Sequence, residues 1–174
     1  MKINRIILVA VMVMSGWIAS AQSQFDKFED IDGVTSVVVT QKAFSLMSKI
    51  GAESDDEYMQ MIKNINSLKV FATESAEVAK QMEAAAKSYL KSANLEELMR
   101  VRDGESNVTI YVKEGKSEDF VKELFMFVKD GDNSSKESVI ISLTGDIDLN
   151  QIAKLTEKMD LPGGEHLEKA SKNK

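Results

Sequence analysis

Asp146, Asp148, Asn150 and Glu157 stand at the first, third, fifth and twelfth positions of one window, the oxygen-ligand spacing of a calcium-binding loop. That loop needs glycine at its sixth position for a sharp turn, and here the residue is Gln151. Residues 149–159 carry helical periodicity, which would spread these oxygens along a helix and not around an ion. Asp148 is better explained as a helix N-cap, with Gln151 placed to bond back to it. The remaining chemistries are poorer still. The single histidine, His166, follows Gly163-Gly164 in a charged tail, so no base is held beside a nucleophile. One histidine and no cysteine cannot fill a zinc site. The carboxylate pairs Asp55-Asp56 and Glu96-Glu97 are expected among 28 acidic residues. A glycosidase dyad would need an aromatic-lined sugar cleft, and aromatics make up only 6% of the chain. No catalytic, cofactor or metal site is therefore expected, and the chain is read as a non-enzyme.

One cluster is harder to set aside. Phe120, Phe125, Met126 and Phe127 fall in a single short segment, with further methionines spread along the chain. Core filling between sheet and helices is the first explanation. The second is a face for a lipid, peptide or protein partner. A strand here would point side chains to both sheet faces. Helices expected on only one face would leave a Phe125/Phe127 face in need of cover.

The elements that would position these residues follow from patterning. Val34-Thr35-Ser36-Val37-Val38-Val39-Thr40 is β-branched or small throughout and predicts a strand. Phe44, Leu46 and Met47 follow in a helical patch that Gly51 should stop, and Ser54-x-x-Glu57 has capping-box spacing for a second short helix. Leu68–Ala72 predicts the next strand. Thr73, Glu74 and Glu77 then open the longest helix, whose buried face should be Val78, Met82, Ala85 and Tyr89. Leu95–Arg102 alternates, and Asp103-Gly104 is a hairpin dipeptide. Val108, Ile110 and Val112 alternate against Thr109, Tyr111 and Lys113. Glu114–Asp119 reads as a charged loop and Phe120–Lys129 as a strand. Val139, Ile141 and Leu143 mark the last strand. Gly145 should permit the turn out of it and Asp148 should cap a closing helix, making a structural corner.

The start of the chain predicts export. Lys2 and Arg5, the apolar run Ile6–Met14, and Ala19-Ser20-Ala21 form a signal-peptide pattern too short to span a bilayer. Cleavage there would leave 153 of 174 residues, about one domain. The leader holds two basic residues and no acidic one, so its loss takes the formal charge from −6 to −8. That balance disfavours nucleic acid and anionic lipid as partners. With no cysteine there is no lipoprotein anchor, and a periplasmic or secreted product without stable membrane insertion is expected.

Together these predict an α+β fold: a mostly antiparallel or mixed sheet of about five to six strands, helices on one face, and a split-βαβ-like start. Residues 1–21 are assigned to the signal, 22–32 to a linker or short helix, 33–161 to the domain and 162–174 to a disordered charged tail. Val34–Thr40 with Phe44 and Met47, Leu68-Lys69-Val70-Phe71 with Glu74, Glu96-Glu97-Leu98-Met99, and Leu143–Leu149 occur in an order that resembles the bacterial exported family known as domain of unknown function 4252. The resemblance covers about Gly33 to Met159. It implies an envelope protein in maintenance or signalling and transfers no functional residues. This chain departs from the family's frequent lipoprotein leader, having no cysteine. The expected role is a non-enzymatic interaction module with an envelope protein as partner; the alternative is a carrier or sensor of a small hydrophobic ligand on the Phe/Met face.

Overall fold

The computed structural model describes residues 24–50, 59, 62–103, 106–117, 119–130 and 137–151. The leader, the Ser54 capping box, the turns at 104–105 and 131–136, the closing helix beyond 151 and the charged tail lie outside the described residues.

Six strands form one antiparallel sheet in the order β1-β2-β6-β5-β4-β3. They are β1 (Val34–Thr40), β2 (Ile65–Thr73), β3 (Glu96–Asp103), β4 (Ser106–Ser117), β5 (Phe120–Asp130) and β6 (Ser138–Asp148). Helices α1 (Gln41–Ile50) and α2 (Ala76–Ser92) accompany them among the described residues. The fold is thus α+β, and Phe120–Lys129 is the expected strand.

The start is not split βαβ. β1 and β2 are adjacent and antiparallel, with Thr40 opposite Ser67. Residues 41–64 leave and re-enter the sheet at the same end, so β2 must run back along β1. β3, β4, β5 and β6 then form a meander, and β6 slots against β2 with Val70 opposite Ile141. β2 and β6 lie inside the sheet, which is why Leu68–Ala72 and Val139–Leu143 are apolar or small on nearly every residue.

Nor do the helices share a face. Alternate residues separate into two cores. Leu68, Val70, Ile110, Leu124, Met126, Ile141 and Leu143 pack with Phe44 of α1. Phe71, Phe125 and Ile140 point the other way, to Val78, Met82, Ala85 and Tyr89 of α2. The α2 face is the one expected from its period, and Ser75 caps the helix by accepting from the Val78 N–H at 3.4 Å. The cap lies two residues beyond the expected Thr73, which instead ends β2 and donates its hydroxyl to the Gly33 carbonyl at 2.7 Å.

The segment expected to link or pack weakly is part of the second core. Asp26–Phe28 form a 3-10 turn, and Phe25 and Phe28 are buried. Phe25 stacks on Phe125 at 5.5 Å and meets Tyr89 edge-on at 5.2 Å. Lys69 of β2 binds both Asp26 and Glu29, which clamps the turn to the sheet.

The corner at Gly145 also differs. β6 continues through it to Asp148, and the chain enters a 3-10 turn only at Leu149–Gln151. Gly145 has φ 148°, and a Cβ there would overlap the Asn64 carbonyl oxygen and stand 2.8 Å from the Ile65 Cα. Asp146 N–H donates to that same carbonyl at 2.9 Å. The glycine therefore admits the incoming backbone of β2 instead of ending the strand. The charged stretch from Glu114 is likewise strand, as β4 runs to Ser117 with register shifts that absorb its irregularity.

Candidate functional site

Two residues of the calcium spacing, Asp146 and Asp148, lie on β6. Asp146 pairs with Lys116 at 3.1 Å, and Asp148 sits at the end of β6 opposite Phe120. Glu157 and the side chain of Asn150 lie outside the described residues. Among the described residues no group of three or more metal-ligating side chains occurs.

The Phe/Met cluster divides by strand parity. Met126 points into the first core and Phe125 into the second, and both are 0% exposed. Phe120 is half-buried at the start of β5, with Lys116 Nζ 3.9 Å from its ring centre. Phe127 shares a sheet face with Phe125 but lies two residues nearer the open end of that layer, and it is half-buried. The sheet face that needed cover is covered by α2 and the Phe25–Phe28 turn. Of the four residues, Phe127 lines a groove beside α2.

That groove, of about 240 Å³, lies between α2 and the β3–β4–β5 part of the sheet. α2 packs over β2 and β6, so the layer thins toward the β3 edge. One wall is the stripe Glu83, Ala86, Lys87 and Leu90, at i, i+3, i+4 and i+7 of the helix. The floor is Thr109 and Tyr111 of β4 with Phe127 of β5. Their register is direct: Thr109 stands opposite Phe127 and Tyr111 opposite Phe125. Arg100, Lys129 and Asn107 form the far rim.

The rim is charged and partly compensated. Glu83 accepts from Lys87 at 2.7 Å and from Lys129 at 3.1 Å, bracing helix to sheet. The Lys87 hydrogen bond, followed by that of Lys129, holds the Glu83 carboxyl below its ordinary range. Arg100 donates to Glu97, and this bond, with a smaller effect of neighbouring Tyr111, holds its guanidinium more firmly protonated. Lys87, Lys129 and Arg100 thus face Glu83 and Glu97, leaving one positive charge on an otherwise acidic chain. Among the described residues the buried Oδ1 of Asn107 has no hydrogen-bond partner.

The lining combines aromatic and aliphatic surface with charge. Among the described lining residues no nucleophile stands beside a base. The α2 wall was missed because its stripe is offset from the core stripe Val78-Met82-Ala85-Tyr89. The one available signal was Thr109 and Tyr111, which alternate to the face away from Val108 and Ile110.

A family model described as domain of unknown function (DUF4252) matches residues 28–155. The match begins at Phe28, inside the turn that the fold places in the core. No curated protein and no solved structure matches the chain.

Proposed function

We propose that this chain, which belongs to the DUF4252 family, is a non-enzymatic interaction module that is exported and acts in maintenance or signalling of the bacterial envelope. The groove carries this reading. Its volume of about 240 Å³ is below the ~300–1,000 Å³ of sites that enclose small-molecule ligands. It suits one or two anchoring side chains of a larger partner. Aromatic floor and residual positive charge favour an extended protein segment with an apolar residue next to an acidic one. The Lys2/Arg5 leader supports export, and the absence of cysteine supports a product free of a lipid anchor.

The alternative, a carrier of a small hydrophobic ligand, relied on a face containing Phe120, Phe125, Met126 and Phe127. Only Phe127 of that set lines the groove, so the ligand reading has less apolar surface to use.

Affinity capture from envelope fractions with wild-type, Phe127→Ala and Arg100→Ala baits tests the proposal. A specific protein retained by wild type and lost from both variants is expected. Equal retention by all three would reject the groove, and retention of nothing specific would reject the module.

A further inference from the structure

Among the described residues one carboxylate is buried, that of Glu123 on β5. It shares a strand face with Phe125 and so points to the second core, where Tyr89 of α2 donates its hydroxyl to Oε1. β4 sets Lys113 opposite Glu123, and β6 sets Thr144 opposite it. The layer is closed by the Phe25–Phe28 turn, whose Phe25 meets Tyr89 edge-on and stacks on Phe125. The other charged groups of these elements are engaged elsewhere. Asp26 and Glu29 bind Lys69, Lys27 lies 4.9 Å from the Phe28 ring centre, and Glu83 of α2 binds Lys87 and Lys129. Charging Glu123 therefore puts a carboxylate into an aromatic layer with one phenol and one exposed lysine in support. Burial outweighs both and favours the neutral acid.

The walls around Glu123 are held unequally. β4, β5 and β6 are fixed by strand pairing on both sides. The turn forms its hydrogen bonds within itself, from Phe28 N–H to the Phe25 carbonyl at 2.9 Å and from Glu29 N–H to the Asp26 carbonyl at 3.1 Å. Its attachment is two buried rings and one lysine, Lys69, whose two partners are both exposed. It joins β1 through a stretch in which Asp30, Asp32 and Gly33 are exposed, with Gly33 at φ 82°. Cleavage of the leader after Ala21 would leave three residues before Phe25, so the turn would be tethered at one end. A carboxylate that needs water gains it through the wall whose opening disrupts least.

We propose that the Phe25–Phe28 turn is a pH-released lid, docked while Glu123 is neutral and opening more often once Glu123 is ionised. Opening admits water to the carboxylate and lets it ionise as it does in the unfolded chain. The opening equilibrium is therefore lowest below the ordinary carboxylate value and rises with pH through the raised folded value. Opening also uncovers Phe125, two residues from Phe127 on the groove floor, and lengthens the apolar surface along β5. The lid belongs to the fold itself and does not depend on what the groove binds.

Amide hydrogen exchange of the purified exported protein tests this, because it reads rare openings residue by residue. The Phe28 and Glu29 amides report the lid, and the Ile141 amide in the middle of β6 reports global unfolding. Protection is compared between about pH 5 and 8 after correction for the intrinsic exchange rate. In the wild type, Phe28 and Glu29 should be less protected than Ile141, and their protection should fall as pH rises. Glu123→Gln keeps an acceptor for Tyr89 but cannot ionise, so that fall should be lost. Lys69→Met should lower lid protection by up to about fivefold at every pH and leave the pH dependence in place. Lid amides as protected as Ile141 would overturn the proposal, since the turn would then open only with the whole fold. Wild-type lid protection that is independent of pH, or an equal fall in Glu123→Gln, would overturn it as well.

Discussion

The hydroxyl of Tyr89 donates a hydrogen bond to Oε1 of Glu123 inside the second core, tying α2 to β5. Glu123 is only 6% exposed, and Tyr89 is enclosed between Phe25 and Phe125. Burial pushes the Glu123 carboxyl above its ordinary 4.5, while the Tyr89 bond and the charge of Lys113 oppose the shift. Burial, followed by this same bond, lifts the Tyr89 phenol far above its usual range.

This pair predicts a particular pH dependence. The folded chain holds the Glu123 proton more tightly than the unfolded chain does. Its contribution is therefore fully present below the unfolded value and is lost as pH rises through the raised folded value. Tyr89→Phe removes a bond that favours the carboxylate, so the loss should extend to higher pH. At neutral pH it should cost about 1–3 kcal/mol. Glu123→Gln should flatten the slope. Urea unfolding between about pH 4 and 8 reads all three.

Gly145→Ala should be severe for its size. The residue would be held at φ 148° with its Cβ against Asn64 and Ile65 of the neighbouring strand. Strain and overpacking together predict a loss of about 2–4 kcal/mol. Gly33→Ala is the control. It also has positive φ, 82°, but nothing lies within 4 Å of the new methyl. It should cost about 1–2 kcal/mol. Equal losses in the two melting curves would contradict the close-approach account.

Much of the fold was legible because strands and helices announce themselves by period. β1 and the buried stripe of α2 lie where β-branching and the i, i+4, i+7, i+11 spacing place them. Gly145 was misread because a glycine after Leu143-Thr144 signals a turn and a close strand approach alike. Only the position of Asn64 separates them. The sheet order and the placing of α1 opposite α2 depend on which strands pair over long separations, which no local pattern records. Phe127 was legible as apolar, but its place beside α2 was not. That depends on where the helix stops covering β4.

The Phe25–Phe28 turn should behave as core. Phe25→Ala and Phe28→Ala should each cost about 3–5 kcal/mol, far beyond what a linker residue would. Lys69→Met keeps most of the side-chain volume and removes its bonds to Asp26 and Glu29, whose side chains are 49% and 37% exposed. It should cost no more than about 1 kcal/mol. Denaturant midpoints for the three variants would separate packing from charge.

The groove is tested most directly by photocrosslinking in intact cells, with p-benzoylphenylalanine replacing Leu90 on the groove wall or Ala84 on the exposed side of the same helix. An adduct with one envelope protein is expected from position 90 and none from position 84. Phe127→Ala or Arg100→Ala should weaken the adduct by about tenfold or more. No adduct from position 90, or the same adducts from position 84, would contradict it.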